Sequence, residues 1–74
     1  MKQRRKLWMI QQRMWSNGRY TKWKWDYAFV GTARHIVEYD FLQHHNDHCG
    51  NSTMESLKDT VRAACFMVDL PEIK

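Results

Sequence analysis

The chain has 74 residues, which is room for one small domain (1–74) with a thin core. Twelve Lys and Arg against eight Asp and Glu give a formal net charge of +4, and ten residues are Trp, Tyr or Phe. No apolar run is long enough to cross a bilayer, the basic start is not followed by a signal-type apolar segment, and Cys49 and Cys65 do not make a disulfide framework, so a reducing cytoplasm is the expected location.

Charge is divided unevenly. Eight cations and no anion precede Asp26, whereas from Asp26 onward there are four cations and eight anions. Such an asymmetry points to a surface for nucleic acid or an acidic partner on the first third of the chain. Mutual neutralisation of the two halves on folding is the plainer alternative.

Residues 2–16 read as a helix. Leu7, Ile10 and Met14 recur at helical spacing, with Trp8 and Trp15 one heptad apart at the edge of that face and Lys2, Lys6 and Arg13 behind it. Ser16-Asn17-Gly18 then closes it, since Asn and Gly accept left-handed backbone. Next, Thr21, Trp23, Trp25, Tyr27 and Phe29 alternate with Lys22, Lys24, Asp26 and Ala28. Period two predicts a strand over 20–29 with one aromatic side.

Val30-Gly31-Thr32 offers a tight turn, and Val37, Tyr39 and Phe41 alternate with Glu38 and Asp40 as a second strand over 35–42. A register with Trp25 opposite Val37 sets Lys24 against Glu38 and Lys22 against Asp40, pairs worth about 0.2–1 kcal/mol each. A helix from Gly31-Thr32 to Asp47 fits the same residues, because Ala33, Ile36, Val37 and Phe41 also have helical spacing, and residues 33–47 stay open between the two. Gln43 to Asn51 reads as a polar loop. A second helix is expected over 52–68: Ser52 and Glu55 form a capping box, Met54, Leu57, Val61, Ala64, Cys65 and Val68 share a face, and Pro71 stops it. The expected fold is α+β, a small two-layer αββα domain with a hairpin between N-terminal and C-terminal helices. A second copy would complete so short a sheet.

For function, Lys2, Arg4, Arg5, Lys6 and Arg13 have no evident intrachain partner, whereas the expected hairpin register pairs Lys22 and Lys24 with Asp40 and Glu38. Lys2, Arg4, Arg5, Lys6, Arg13, Arg19, Lys22 and Lys24, with Trp8 and Trp15, are the candidate partner-binding residues. Interleaved cations and rings suit phosphates and unpaired bases, and Trp and Arg also dominate protein interfaces. The first reading is a small regulatory or inhibitory binding module for a protein partner, needing no cofactor. A nucleic-acid-binding domain using the same surface is the alternative, since the acidic second half argues against a uniformly basic domain. No catalytic residues are assigned. His44, His48 and Cys49 are the only candidate metal ligands, at spacing a helix would bring together. A metal-dependent nuclease built on them is the third reading, set back by the lack of a second ligand pair.

Overall fold

The structure is a computed structural model, and it describes residues 3–70. In chain order it comprises strands β1 (Gln3–Gln12), β2 (Trp15–Ser16), β3 (Arg19–Tyr20) and β4 (Lys24–Gly31), helix α1 (Arg34–Cys49), and strand β5 (Val61–Leu70). β1 is central in an antiparallel sheet of order β4-β1-β5, and β2 and β3 form a separate two-residue ladder. The connection from β4 to β5 therefore crosses over β1, and α1 lies on one face of the sheet. The architecture is α+β, as expected, with one helix among the described residues.

The N-terminal segment expected to be helical is a strand. Leu7-Trp8-Met9-Ile10 is apolar without a break, which satisfies helical spacing but equally suits a central strand with apolar side chains on both faces. Strands on either side of β1 settle that ambiguity. Trp8 and Ile10 turn toward α1; Leu7, Met9 and Gln11 turn the other way. Val61 to Val68 repeats the pattern. The segment expected as the second helix becomes β5, paired with β1 through ten successive residues without a register shift. Only the turns before it keep helical hydrogen bonds, such as Leu57 N–H to the Thr53 carbonyl at 3.1 Å. The reciprocal cap falls one residue later than expected, on Thr53 and Ser56.

Residues 35–42 are helix, the alternative reading of that segment. Among its described side chains α1 buries only Val37 and Phe41, four residues apart, and leaves Ile36 and Tyr39 exposed. Its odd-numbered apolar residues thus imitate strand alternation. The hairpin and its Lys24–Glu38 and Lys22–Asp40 pairs do not form; Glu38 instead accepts from Arg34 one turn earlier at 3.1 Å. Gln43 to Cys49, expected as loop, extends the helix. It ends at Gly50 (φ 101°), and the Asn46 side chain clasps the backbone of Ser52 with two hydrogen bonds.

Two glycines position these parts. Asn17 (φ 54°) and Gly18 (φ 80°) are left-handed as expected, but they make the β2–β3 hairpin turn and do not end a helix. Gly31 ends β4, and a Cβ there would lie 3.1 Å from Val37 Cγ2. Its missing side chain lets α1 approach closely.

The core is small: Ile10 (0% exposed), Val37 (1%), Phe41 and Val61, with Trp8, Phe29, Leu42, Met54, Leu57 and Ala63 around them. Phe29 meets Phe41 edge-on at 5.3 Å. Phe29 reaches this side because β4 is bulged: Ile10 is opposite Asp26, yet the preceding Met9 is opposite Val30. The inserted Tyr27, Ala28 and Phe29 break the alternation. Trp25 and Tyr27 therefore face away from α1 and Phe29 faces toward it, so the four aromatics expected on one side are divided.

Candidate functional site

Because α1 covers one face of the sheet, the other has no helix or strand over it among the described residues. Alternation assigns its members. β1 supplies Arg5, Leu7, Met9 and Gln11, β5 supplies Arg62, Ala64, Phe66 and Val68, and β4 supplies Trp25, Tyr27 and Val30. Trp25, opposite Gln11, and Phe66, opposite Leu7, lean over the residues between them. Met9 and Gln11 are consequently buried, although no other described element covers this face. Trp25 and Phe66 meet edge-on at 5.4 Å across β1, and with Met9 and Tyr27 they line an apolar cup of about 270 Å³. Tyr27 stands at its rim, 76% exposed.

The face continues past the end of β1 into a stack of cations and rings. Arg62 donates from Nε to Gln11 Oε1 at 2.7 Å, and its guanidinium lies 4.1 Å from the Trp23 ring centre. Arg13 lies 4.4 Å from the same ring and 4.0 Å from that of Tyr20. Tyr20 in turn meets Trp15 edge-on at 4.7 Å in the hairpin. Arg13 is anchored by a 2.7 Å hydrogen bond from Nε to the Asp59 carbonyl. Thr21 closes the hairpin base, donating from its N–H to the Met14 carbonyl and accepting the Met14 N–H on Oγ1. Arg13 thus joins the rings of Tyr20 and Trp23, Arg62 stacks on the outer end of that group, and the Trp25–Tyr27–Phe66 cup lies next along the same face.

Carboxylates are elsewhere. Asp26 and Asp69 occupy positions opposite Ile10 and Arg4, on the helix side of the sheet. Glu38, Asp40 and Asp47 are on α1, and Glu55 and Asp59 are in the turns before β5. No described carboxylate holds a strand position on the open face. Asp26 is occupied locally, accepting from Gln12 Nε2 at 2.7 Å and from the Ala28 N–H at 3.1 Å.

The expected binding residues do not form one stripe. Arg5, Arg13, Arg19 and Lys22 lie on or beside the open face and hairpin, and among the described residues none makes an ion pair with a carboxylate. Arg4 is on the helix side and is bound to Asp69 at 3.2 Å. Lys6 and Lys24 also fall on that side, Lys6 with its ammonium 5.5 Å from the Trp8 ring centre. Trp8 packs beside the core, whereas Trp15 is 60% exposed on the hairpin. Lys2 lies outside the described residues. Arg62, Phe66 and Tyr27 were missed as site residues. The one signal for the first two was alternation of Arg62, Ala64, Phe66 and Val68, hidden within an apolar run that also fits a helix.

The histidines do share a helix. His44 and His48 stand one turn apart with ring centres at 4.9 Å, and together with His45, Asp26, Phe29 and Phe41 they border an open hollow of about 630 Å³. His45 stacks on Phe41 and shares a 3.2 Å hydrogen bond with Ser52 Oγ. Among the described residues no three His, Cys, Asp or Glu side chains converge on a metal position. The Cys49 side chain lies outside the described residues. No helix there is long and apolar enough to cross a membrane.

Compared with known proteins, the chain matches no family model, no curated sequence and no solved structure.

Proposed function

We propose that this protein is a binding module for single-stranded nucleic acid, with bases stacked along the rings from Trp15 to Tyr27 and phosphates met by Arg5, Arg13, Arg19, Lys22 and Arg62. The observation that carries this reading is the make-up of the open face: exposed rings share it with Arg5, Arg62 and the cations of the hairpin, and no described carboxylate holds a strand position there. The acidic second half of the sequence, which favoured a protein partner, loses its weight once folded. Its described acids lie on α1, in the turns before β5, and at Asp26 and Asp69 on the helix side of the sheet, while β5 contributes Arg62 and Phe66 to the open face. Stacking a base on an exposed ring is worth about 1–3 kcal/mol, and it needs neither duplex geometry nor a particular base. The guanidinium groups beside Trp23 keep free edges for phosphate oxygens, and their stacking fixes them in place at little further entropic cost.

Fluorescence anisotropy with a labelled single-stranded oligonucleotide tests this. Each phosphate contact contributes about −0.7 to the slope of log affinity against log salt, so five contacts give about −3.5 and roughly a hundredfold loss between 50 and 200 mM. Absence of binding at low salt would remove the proposal. One observation favours a second reading, a protein partner with an apolar anchor: the cup between Met9, Trp25, Tyr27 and Phe66 is lined almost wholly by carbon. Affinity for a captured protein that hardly changes with salt would support that reading instead.

A further inference from the structure

We infer that β5 is a dimerisation strand, pairing antiparallel with β5 of a second copy so that two three-stranded sheets become one of six. β1 satisfies one edge of β5 along its whole length, and the opposite edge has no strand partner among the described residues. Alternate backbone N–H and C=O groups from Arg62 to Leu70 therefore point outward, while the Val61 N–H is taken by the Leu57 carbonyl at 2.8 Å. The devices that usually blunt an exposed edge are missing from it: the ten residues contain no Pro, no Lys and no bulge. The side chains near the middle are apolar on both faces, Cys65 and Met67 toward α1 and Ala64, Phe66 and Val68 away from it. Met67 is 52% exposed although apolar.

The other edge of the same sheet makes a useful control. β4 is interrupted by the insertion Tyr27–Phe29, its Ala28 N–H is already taken by Asp26, and Lys24 and Asp26 place charges along it. The β4 edge is irregular, whereas the β5 edge is regular, with its charges Arg62 and Asp69 near the ends and apolar residues between them.

Between two copies, charge disfavours the parallel orientation. Arg62 lies near the start of β5 on the open face and Asp69 near its end on the helix side. Parallel self-pairing would set Arg62 beside Arg62 and Asp69 beside Asp69, whereas antiparallel pairing moves the like charges to opposite ends. Directly opposed residues of an antiparallel pair share a face, so a two-fold axis perpendicular to the sheet must pass through a residue. Cys65 and Phe66 are the positions that keep nearly all of β5 paired. Both put the two helices on one side, flanking Met67 from each copy, and join the two open faces into a single platform on the other. The inference is independent of what that platform binds.

The test uses the full chain carrying Cys49→Ser, which leaves Cys65 as the single thiol. Sedimentation velocity at concentrations up to about 100 µM should show a dimer. A short bifunctional maleimide should join Cys65 to Cys65, because either axis position brings the two thiols close together. Adding Met67→Lys, at an exposed position, should weaken the dimer by at least about tenfold while leaving the circular dichroism spectrum unchanged. A monomer throughout the concentration range would overturn the inference. So would a dimer that tolerates Met67→Lys but is broken by Tyr27→Ala, since that pattern identifies packing of open faces and not pairing of edges.

Discussion

The two faces of the sheet are made from alternate residues of the same three strands, yet they have opposite physics. On the helix side, Ile10 and Val61 meet Val37 and Phe41 in a closed cluster, and the polar residues at its margin are bound to one another: Gln12 to Asp26, Arg4 to Asp69, His45 to Ser52. On the open side, the rings of Trp25 and Phe66 shelter Met9 while Tyr27 projects outward, and Arg13 and Arg62 lie against Trp23 with no described carboxylate paired to either. The first face stores the stability of the domain. The second holds large side chains in fixed positions and leaves their outer surfaces free, and this division suits a protein that presents a surface to a ligand.

Substitutions separate the two faces. The largest effect on folding belongs to Ile10→Ala, which empties a fully buried site between the sheet and α1; a loss of about 2–5 kcal/mol is expected. In a domain this small each kcal/mol lowers Tm by roughly 4–8 °C, so a thermal melt should register it plainly. Tyr27→Ala and Trp25→Ala should each weaken oligonucleotide binding by about 1–3 kcal/mol, five- to 150-fold, measured by anisotropy at fixed salt. Tyr27→Ala should leave Tm nearly unchanged, within about 0.5 kcal/mol, because it is a surface position. A Tyr27→Ala protein that melts early but binds normally would reverse the assignment of the faces.

Smaller effects probe the geometry between them. Gly18→Ala places a Cβ in left-handed backbone at φ 80° and should cost about 1–2 kcal/mol in a denaturant titration, loosening the hairpin that carries Tyr20 and Trp15. Arg4→Ala removes an exposed ion pair with Asp69 on the helix side; both stability and binding should change by less than about 1 kcal/mol. A substantial binding loss on Arg4→Ala would place phosphate contacts on the wrong face for this account.

Period-two alternation was legible where rings and charges take opposite sides of a strand, as at Trp25 and Tyr27 against Lys24 and Asp26. It failed where a strand carries apolar side chains on both faces. Leu7 to Ile10 and Ala63 to Val68 place one apolar set toward α1 and another on the open face, and such a run carries no alternation to distinguish it from a helix. It failed in the reverse sense along α1, whose thin buried stripe of Val37 and Phe41 left odd-numbered Tyr39 to complete a false strand. The bulge at Tyr27–Phe29 had no local marker, because the residue that demands it, Phe41, is twelve positions further along. Among site residues, the cations near the hairpin were legible from charge alone. Arg62 and Phe66 were not, since only the pairing of β5 with β1 brings them to Trp23 and Trp25.

Chemical-shift mapping of the isotope-labelled protein during titration with a single-stranded oligonucleotide tests the central claim most directly. The account predicts that the indole and amide signals of Trp23 and Trp25, the ring of Tyr27 and the amides around Arg62 and Phe66 move together, while those of α1 from Arg34 to His48 stay in place. Movement confined to His44, His45 and His48, or no movement at low salt, would contradict it.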